Sequence, residues 1–178
     1  LDRNFKGVIV DFRVVAYYTK KSIYEGYAMT LAKSISKFDM QSEIRAIDSL
    51  GNWDKNTHYK PGFIREMLDK YPDQSIVYID VDAEFLQYPK LFDELHCDIA
   101  VHLLDHKQYR RIRTPPEILS GTIYFGNTER ARDIITLWKE VCDANPTMWD
   151  QAALHQTLGV PENYYNLPPQ YCIIHDYM

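Results

Sequence analysis

The sequence predicts an α/β fold, with a mostly parallel central sheet and helices on both faces. Three observations lead there. Short β-branched and aromatic runs alternate with segments of helical spacing, the pattern of strands joined by crossover helices. One run, Ser75-Ile76-Val77-Tyr78-Ile79, is apolar almost throughout and reads as a buried strand. It ends in Asp80-Val81-Asp82, and strand carboxyl ends are where open α/β sheets hold their ligands.

Strand material begins at Val8-Ile9-Val10 and continues through Val14-Val15-Ala16-Tyr17-Tyr18 to Thr19. From Ile23 to Phe38, apolar residues at Tyr24, Tyr27, Ala28, Leu31, Ile35 and Phe38 mark a helix. Ser22, with Glu25 three residues on, gives it a capping-box start. Ser42 to Ile47 is a short strand, and Gly51-Asn52-Trp53-Asp54-Lys55-Asn56 is a loop by composition. Pro61 suits a helix's first turn, with Ile64, Met67, Leu68 and Tyr71 on one face and Pro72-Asp73 as the stop. After the strand at 76–79, Leu91 to Leu95 reads as a short helix and Asp98 to Leu103 as a strand. Asp105 to Pro116 is a polar, basic loop; Leu119 to Phe125 is a strand closed by a Gly126-Asn127 turn. Thr128 caps a helix from Glu129 to Cys142, whose apolar face is Ala131, Ile134, Ile135, Trp138 and Val141. Trp149 to Leu158 forms a further helix with Asp150 in its first turn, and the tail from Gly159 carries one short apolar piece, Tyr171 to Ile174, before His175.

The 178 residues read as one domain, 1–178, with 46% hydrophobic and 25% charged residues, ordinary for a soluble globular chain. A net charge of −5 supplies no global field toward nucleic acid or anionic membrane. No apolar stretch approaches the roughly 20 residues of a bilayer span, and Leu1-Asp2-Arg3-Asn4 does not read as a signal peptide. Cys97, Cys142 and Cys172 form no CxxC pair, so reduced thiols and a cytoplasmic location are expected.

The chemistry centres on Asp80 and Asp82. Two carboxylates one residue apart repel unless a cation lies between them, and hard oxygen donors suit Mg²⁺ or Mn²⁺. A helix cap or solvated turn would need only one of them. Neither GxGxxG nor GxxxxGK[ST] occurs, so a bound phosphate must be met by metal and basic side chains. His175 is a candidate third ligand, its alternative being a structural histidine. Asp150-Gln151 offers a carboxylate and an amide for a sugar hydroxyl or for proton transfer, unless Asp150 serves the helix start alone. Lys60 lies just before Pro61 at an expected helix start, where a cation is disfavoured, and so is a candidate for a diphosphate. The run His106-Lys107-Gln108-Tyr109-Arg110-Arg111-Ile112-Arg113 is either a solvated basic loop or a cover for an anionic ligand, a nucleic acid included. Ser120-Gly121-Thr122 combines close backbone approach with small hydroxyls, as a sugar pocket or a plain bend would.

In order, Lys60-Pro61, Ile76 to Asp82, Tyr88-Pro89, Ser120 to Thr128 with Trp138, and Asp150-Gln151-Ala152-Ala153-Leu154 resemble a GT-A glycosyltransferase. The likeness is to the DXD-containing nucleotide-diphospho-sugar transferases, with glycogenin-like enzymes as distant relatives, and it covers roughly residues 13 to 176. It implies a Rossmann-like GT-A fold and a nucleotide-sugar donor, UDP-linked first. Asp80, Asp82 and His175 would hold Mn²⁺ or Mg²⁺, and Tyr17, Tyr18 and Thr19 would meet base and ribose. Lys60, Asp80, Ser120, Gly121, Arg110 and Arg111 would contact the donor, with Asp150 and Gln151 at the sugar. The chain is short for that fold, which leaves open the acceptor (glycan, protein, small molecule or modified DNA) and any homo-oligomer. Two rivals are a haloacid-dehalogenase-type phosphatase, whose DxD normally lies near the N-terminus with a Thr after it, and a nucleotide- or nucleic-acid-binding module without turnover.

Overall fold

A computed structural model describes residues 12–109 and 115–174; the strand expected at Val8 to Val10 lies outside them. The sheet has six strands: β1 (Phe12–Thr19), β2 (Ser42–Ile47), β3 (Ser75–Ile79), β4 (Ile99–Leu104), β5 (Glu117–Phe125) and β6 (Tyr165–Asn166), in the order β2-β1-β3-β5-β4-β6. β1 pairs in parallel with β2 and β3, and β4 with β6, while β5 is antiparallel to both of its neighbours. The sheet is therefore mostly parallel with one reversed strand. The reversal follows from the connection. A parallel return needs a crossover of a dozen or more residues, usually helical, and the described residues between β4 and β5 hold only a 3-10 turn at His106–Tyr109.

Alternation along the strands builds two cores. Val15, Tyr17, Ile76, Tyr78, Val101 and Ile123 face one side, where they pack under α2 (Trp53–Lys70), α4 (Glu129–Ala144) and α5 (Asp150–Leu158). Val14, Ala16, Val77, Ile79 and Tyr124 face the other, beneath α1 (Tyr24–Lys37) and near the short α3 (Leu91–Glu94). The helices thus cover both faces. None is long and apolar enough to cross a membrane, among the described residues.

Two local expectations change. The capping box of α1 is shifted: Ser22 Oγ accepts from the Tyr24 amide (3.2 Å), but Glu25 reaches back to the Lys21 amide (2.7 Å) rather than to that of Ser22. Helix α2 starts at Trp53, eight residues before Pro61, because Asn52 caps it by accepting from the Lys55 amide at 2.9 Å. Pro61 therefore sits inside a helix and cannot donate to the Thr57 carbonyl. The Tyr17 hydroxyl comes in from β1, donating to Asn56 O at 2.7 Å and approaching Thr57 O at 3.4 Å. That contact lies where the proline frees a carbonyl, and it ties α2 to the sheet.

Two further ties fix the helices. Asn127, after β5, donates its side-chain amide to Tyr71 O (2.9 Å) and Gln74 O (3.1 Å) just beyond α2. Gly126 passes so close to the chain that a Cβ there would overlap the Cys97 carbonyl oxygen. Gly126→Ala is expected to cost ~1–3 kcal/mol, because the obstacle is backbone. Gly62→Ala, whose new methyl meets open space on α2, should gain ~0.5–1 kcal/mol. Urea denaturation of the two variants checks both signs.

Glu43 on β2 accepts from Lys70 Nζ (2.7 Å), Tyr71 Oη (2.6 Å) and Arg45 Nη2 (2.7 Å). Burial alone would raise its carboxyl pKa, but these donors outweigh burial and hold it down at about 2. A carboxyl depressed on folding contributes stability above its ordinary value of 4.5 and loses it as pH falls toward 2. The stability gap between the native protein and Glu43→Gln is expected to be of the order of 1 kcal/mol at pH 6 after solvent screening and to close by about pH 2. Thermal melts across that range measure it.

Candidate active site

β1 and β3 run side by side in the same direction, so their carboxyl ends open on one edge of the sheet. Above that edge lies a cavity of about 480 Å³, walled by β1's end, the first half of α2, β3's end, β5 and the start of α5. Tyr17, Tyr18, Thr19, Lys60, Asp80, Asp82, Ser120, Asp150 and Gln151 all line it. Residues 133 positions apart in sequence, Tyr17 and Asp150, thus share one wall system because the crossover connections return each strand to the same edge.

The floor is an ion cluster. Lys60 Nζ lies 2.8 Å from Asp150 Oδ2 and 3.1 Å from Asp80 Oδ1, and it donates to the Ser120 hydroxyl and carbonyl at 3.2 Å. Lys60 and Asp150 are both buried. Burial by itself would lower the lysine's pKa; the charges of Asp80 and Asp150 more than offset it and hold the ammonium protonated. A raised folded pKa keeps this stabilisation at full strength below the ordinary lysine value and removes it only in strong alkali. Tyr78, buried in β3, donates its hydroxyl to Asp80 Oδ1 at 2.8 Å, and its ring lies 4.9 Å from the ammonium. The Ser120 hydroxyl donates to Asp150 Oδ2 at 3.0 Å.

These contacts correct the expected position of Lys60, which still lines the cavity. It stands in the middle of α2, not at a helix start, and its charge is spent beneath the cavity on two carboxylates. Tyr17 departs too. Its ring packs edge-on against Tyr59 and Phe63, its hydroxyl is held by α2, and burial raises its pKa further above the ordinary phenol value. Tyr18 and Thr19 remain partly exposed at the cavity wall.

Asp80 uses Oδ1 on Tyr78 and Lys60, while Oδ2 has no partner among the described residues. Oδ2 lies toward Gly121, where a Cβ would sit at 3.3 Å, and the Asp80 amide donates to Gly121 O at 2.8 Å. Gly121 therefore acts by making room for the carboxylate. Asp82 is exposed at the cavity and has no ion-pair partner among the described residues. Desolvation of its carboxyl, and then the charge of Asp80, raise its pKa above the ordinary value. A carboxylate disfavoured in this way beside an unpartnered oxygen fits a divalent cation, which would restore the charged form. No group of three His, Cys, Asp or Glu side chains is placed to hold a metal among the described residues. His175, Arg110 and Arg111 lie outside those residues.

Gln151 is fixed at both ends of its amide: Oε1 accepts from the Ser120 amide (3.1 Å) and Nε2 donates to Glu117 Oε2 (3.0 Å). Trp138 Nε1 donates to Asp150 O at 2.8 Å and anchors the start of α5 to α4. Four aromatic lining residues escaped the sequence reading: Tyr24, Trp53, Tyr78 and Trp149. Trp53 and Trp149 meet edge-to-face with centroids 5.9 Å apart at the rim, and both are more than half exposed. The available signal for Trp53 was Asn52, a good cap three residues before Lys55.

An acidic pair above the strand ends and a polar, aromatic-walled cavity put the candidate site where open α/β sheets hold their ligands. Residues 49–166 match the family of nucleotide-diphospho-sugar transferases, and the chain belongs to that family of glycosyltransferases. Comparison with curated proteins gives no match. Among solved structures, one similar fold is a glycosyltransferase involved in the glycosylation of the major capsid of PBCV-1, with TM-score 0.63 and 13% identity, over 89% of this chain and 81% of that one. A second is the bifunctional glycosyltransferase WbbM, with TM-score 0.62 and 11% identity, over 96% of this chain and 40% of that one. A third is GlyE of Streptococcus pneumoniae TIGR4, with TM-score 0.54 and 15% identity, over 90% of this chain and 46% of that one. The chain thus spans less than half the length of the last two.

Replacing Lys60 by Met leaves two carboxylates crowded at the cavity floor without their cation. Lys60→Met is expected to lose ~3–5 kcal/mol at pH 7. The deficit should shrink as pH falls, because protonation removes the repulsion. Urea unfolding at pH 7 and pH 4.5 tests this; an equal loss at both pH values contradicts it.

Proposed function

We propose that this chain is a metal-dependent glycosyltransferase that moves a sugar from a nucleotide-diphosphate sugar, a UDP-sugar first, to an acceptor hydroxyl. One observation carries the reading: Asp80 and Asp82 line the same cavity beside Tyr and Trp rings, and among the described residues Asp82 has no ion-pair partner while Asp80 meets Lys60 through Oδ1. Asp80 and Asp82, with His175 as third ligand, would hold Mn²⁺ or Mg²⁺, which would supply positive charge for the departing diphosphate. Tyr18 and Thr19 take the base and ribose, and Tyr17 shapes the wall behind them. Arg110 and Arg111 complete the diphosphate's surroundings in this reading.

In the transfer, the acceptor oxygen bonds to the anomeric carbon as that carbon's bond to the β-phosphate oxygen breaks. The electron pair leaves with the nucleoside diphosphate. Asp150 Oδ2 already takes hydrogen bonds from Lys60 and Ser120, so no proton transfer is assigned to it. Its carboxylate, paired with Lys60, lies instead at the sugar side of the cavity. The acceptor proton then goes to the diphosphate, which places attack on the diphosphate's own face and favours retention of configuration. Gln151, clamped between Ser120 and Glu117, orients the sugar's hydroxyls.

Purified protein with Mn²⁺ is expected to turn over at least one member of a UDP-, GDP-, CDP- and dTDP-sugar panel, and the same nucleotide should raise its melting temperature. Asp82→Asn should lower metal-dependent turnover by ~10²-fold, with little change in the melting temperature of the free protein. No turnover and no nucleotide-dependent shift across the panel, or native activity in Asp82→Asn, contradicts the proposal. Salt-sensitive DNA binding without sugar transfer would favour the binding-module alternative.

A further inference from the structure

A second cavity, of about 280 Å³, adjoins the first, and Trp149 and Gln151 belong to both walls. The Gln151 amide is the partition between them. Its hydrogen bonds to Ser120 and Glu117 leave it little freedom to turn.

The chemistry of the second cavity is mixed in a particular way. Trp149, 59% exposed, and Pro115-Pro116 offer apolar surface. Glu117 is an acceptor on the wall; its Oε1 lies 2.9 Å from His106 Nε2 and its side chain is 41% exposed. His155 Nδ1 accepts from the Ile118 amide at 3.1 Å. That bond puts the proton of the neutral ring on Nε2, which makes His155 a donor. A flat apolar wall with one fixed acceptor and one fixed donor matches a ring that has a C–H face and hydroxyls able to donate and accept. The volume falls just under the ~300–1,000 Å³ of pockets for drug-sized ligands, so it admits one such ring. The Glu117 carboxylate opposes a phosphodiester.

We propose that this second cavity is the acceptor subsite and that the acceptor is a saccharide. Its terminal ring lies against Trp149, and its reacting hydroxyl passes Gln151 into the donor cavity. The assignment rests on the glycosyltransferase reading above and deepens it by naming the acceptor class.

Saturation-transfer NMR with the methyl pyranosides of glucose, galactose, mannose and N-acetylglucosamine, in the presence of UDP and Mn²⁺, tests it. At least one pyranoside is expected to receive saturation from the native protein, and Glu117→Gln should reduce that signal at least five-fold. The UDP-dependent melting shift of Glu117→Gln reports whether the variant is folded and should equal that of the native protein. Equal pyranoside signals in the native protein and Glu117→Gln would overturn the assignment. So would a protein that shows the UDP shift but binds no pyranoside. Saturation of a serine-containing peptide or a DNA oligonucleotide in place of every pyranoside would overturn the saccharide class. A protein with no UDP shift whose pyranoside signal still depends on Glu117 would uphold the subsite and contradict the donor reading instead.

Discussion

A buried ammonium sets the geometry of this molecule. Lys60 on α2 holds Asp80 at the end of β3, Ser120 in β5 and Asp150 at the start of α5 within 3.2 Å of one nitrogen. Removing such charges from water costs several kcal/mol each and is offset only when partners and hydrogen bonds are nearly complete. Here Tyr78, Ser120 and two carboxylates supply them. The arrangement fixes where four elements meet, and that meeting point is the cavity floor. It also holds Asp80 Oδ1, which leaves Oδ2 without a partner among the described residues.

The surrounding fold keeps that floor in place by ordinary means. Period-two alternation puts Tyr17 and Tyr78 on one face of the sheet, where their rings pack with Phe63 of α2. The Tyr17 hydroxyl reaches the α2 carbonyls beside the gap that Pro61 opens, so a helix with an internal proline stays fastened at the turn that carries Lys60. On the far side, Trp138 holds the first turn of α5 and with it Asp150. The cavity therefore rests on rigid elements, as preorganised positioning requires.

Much of this was readable from the residues. The strand ending in Asp80-Val81-Asp82, the Thr128 cap, and the helices that carry Trp138 and Asp150 stand where apolar period and cap chemistry put them. Four features were not readable. Trp53 to Asn56 looked like a loop because polar composition hid a cap at Asn52, and Pro61 then appeared to be a beginning when it is an interior residue held by tertiary contact. The antiparallel pairing of β5 with β3 depends on which strands lie adjacent, a long-range property that local propensity does not contain. Lys60 looked like a ligand for a diphosphate because the burial of one end of a side chain cannot be seen without its neighbours; only the fold shows that its charge meets carboxylates of the same chain. The rim aromatics Trp53 and Trp149 come together across 96 residues, which no spacing rule anticipates.

The central claim is that Asp80 and Asp82 receive a divalent cation together with a nucleoside diphosphate. Electron paramagnetic resonance of Mn²⁺ tests it most directly. Adding the native protein and UDP should extinguish the free-ion spectrum at one equivalent, and Asp82→Asn should leave most of that spectrum visible. A free-ion signal unchanged by the native protein with UDP, or lost equally with Asp82→Asn, would contradict the account.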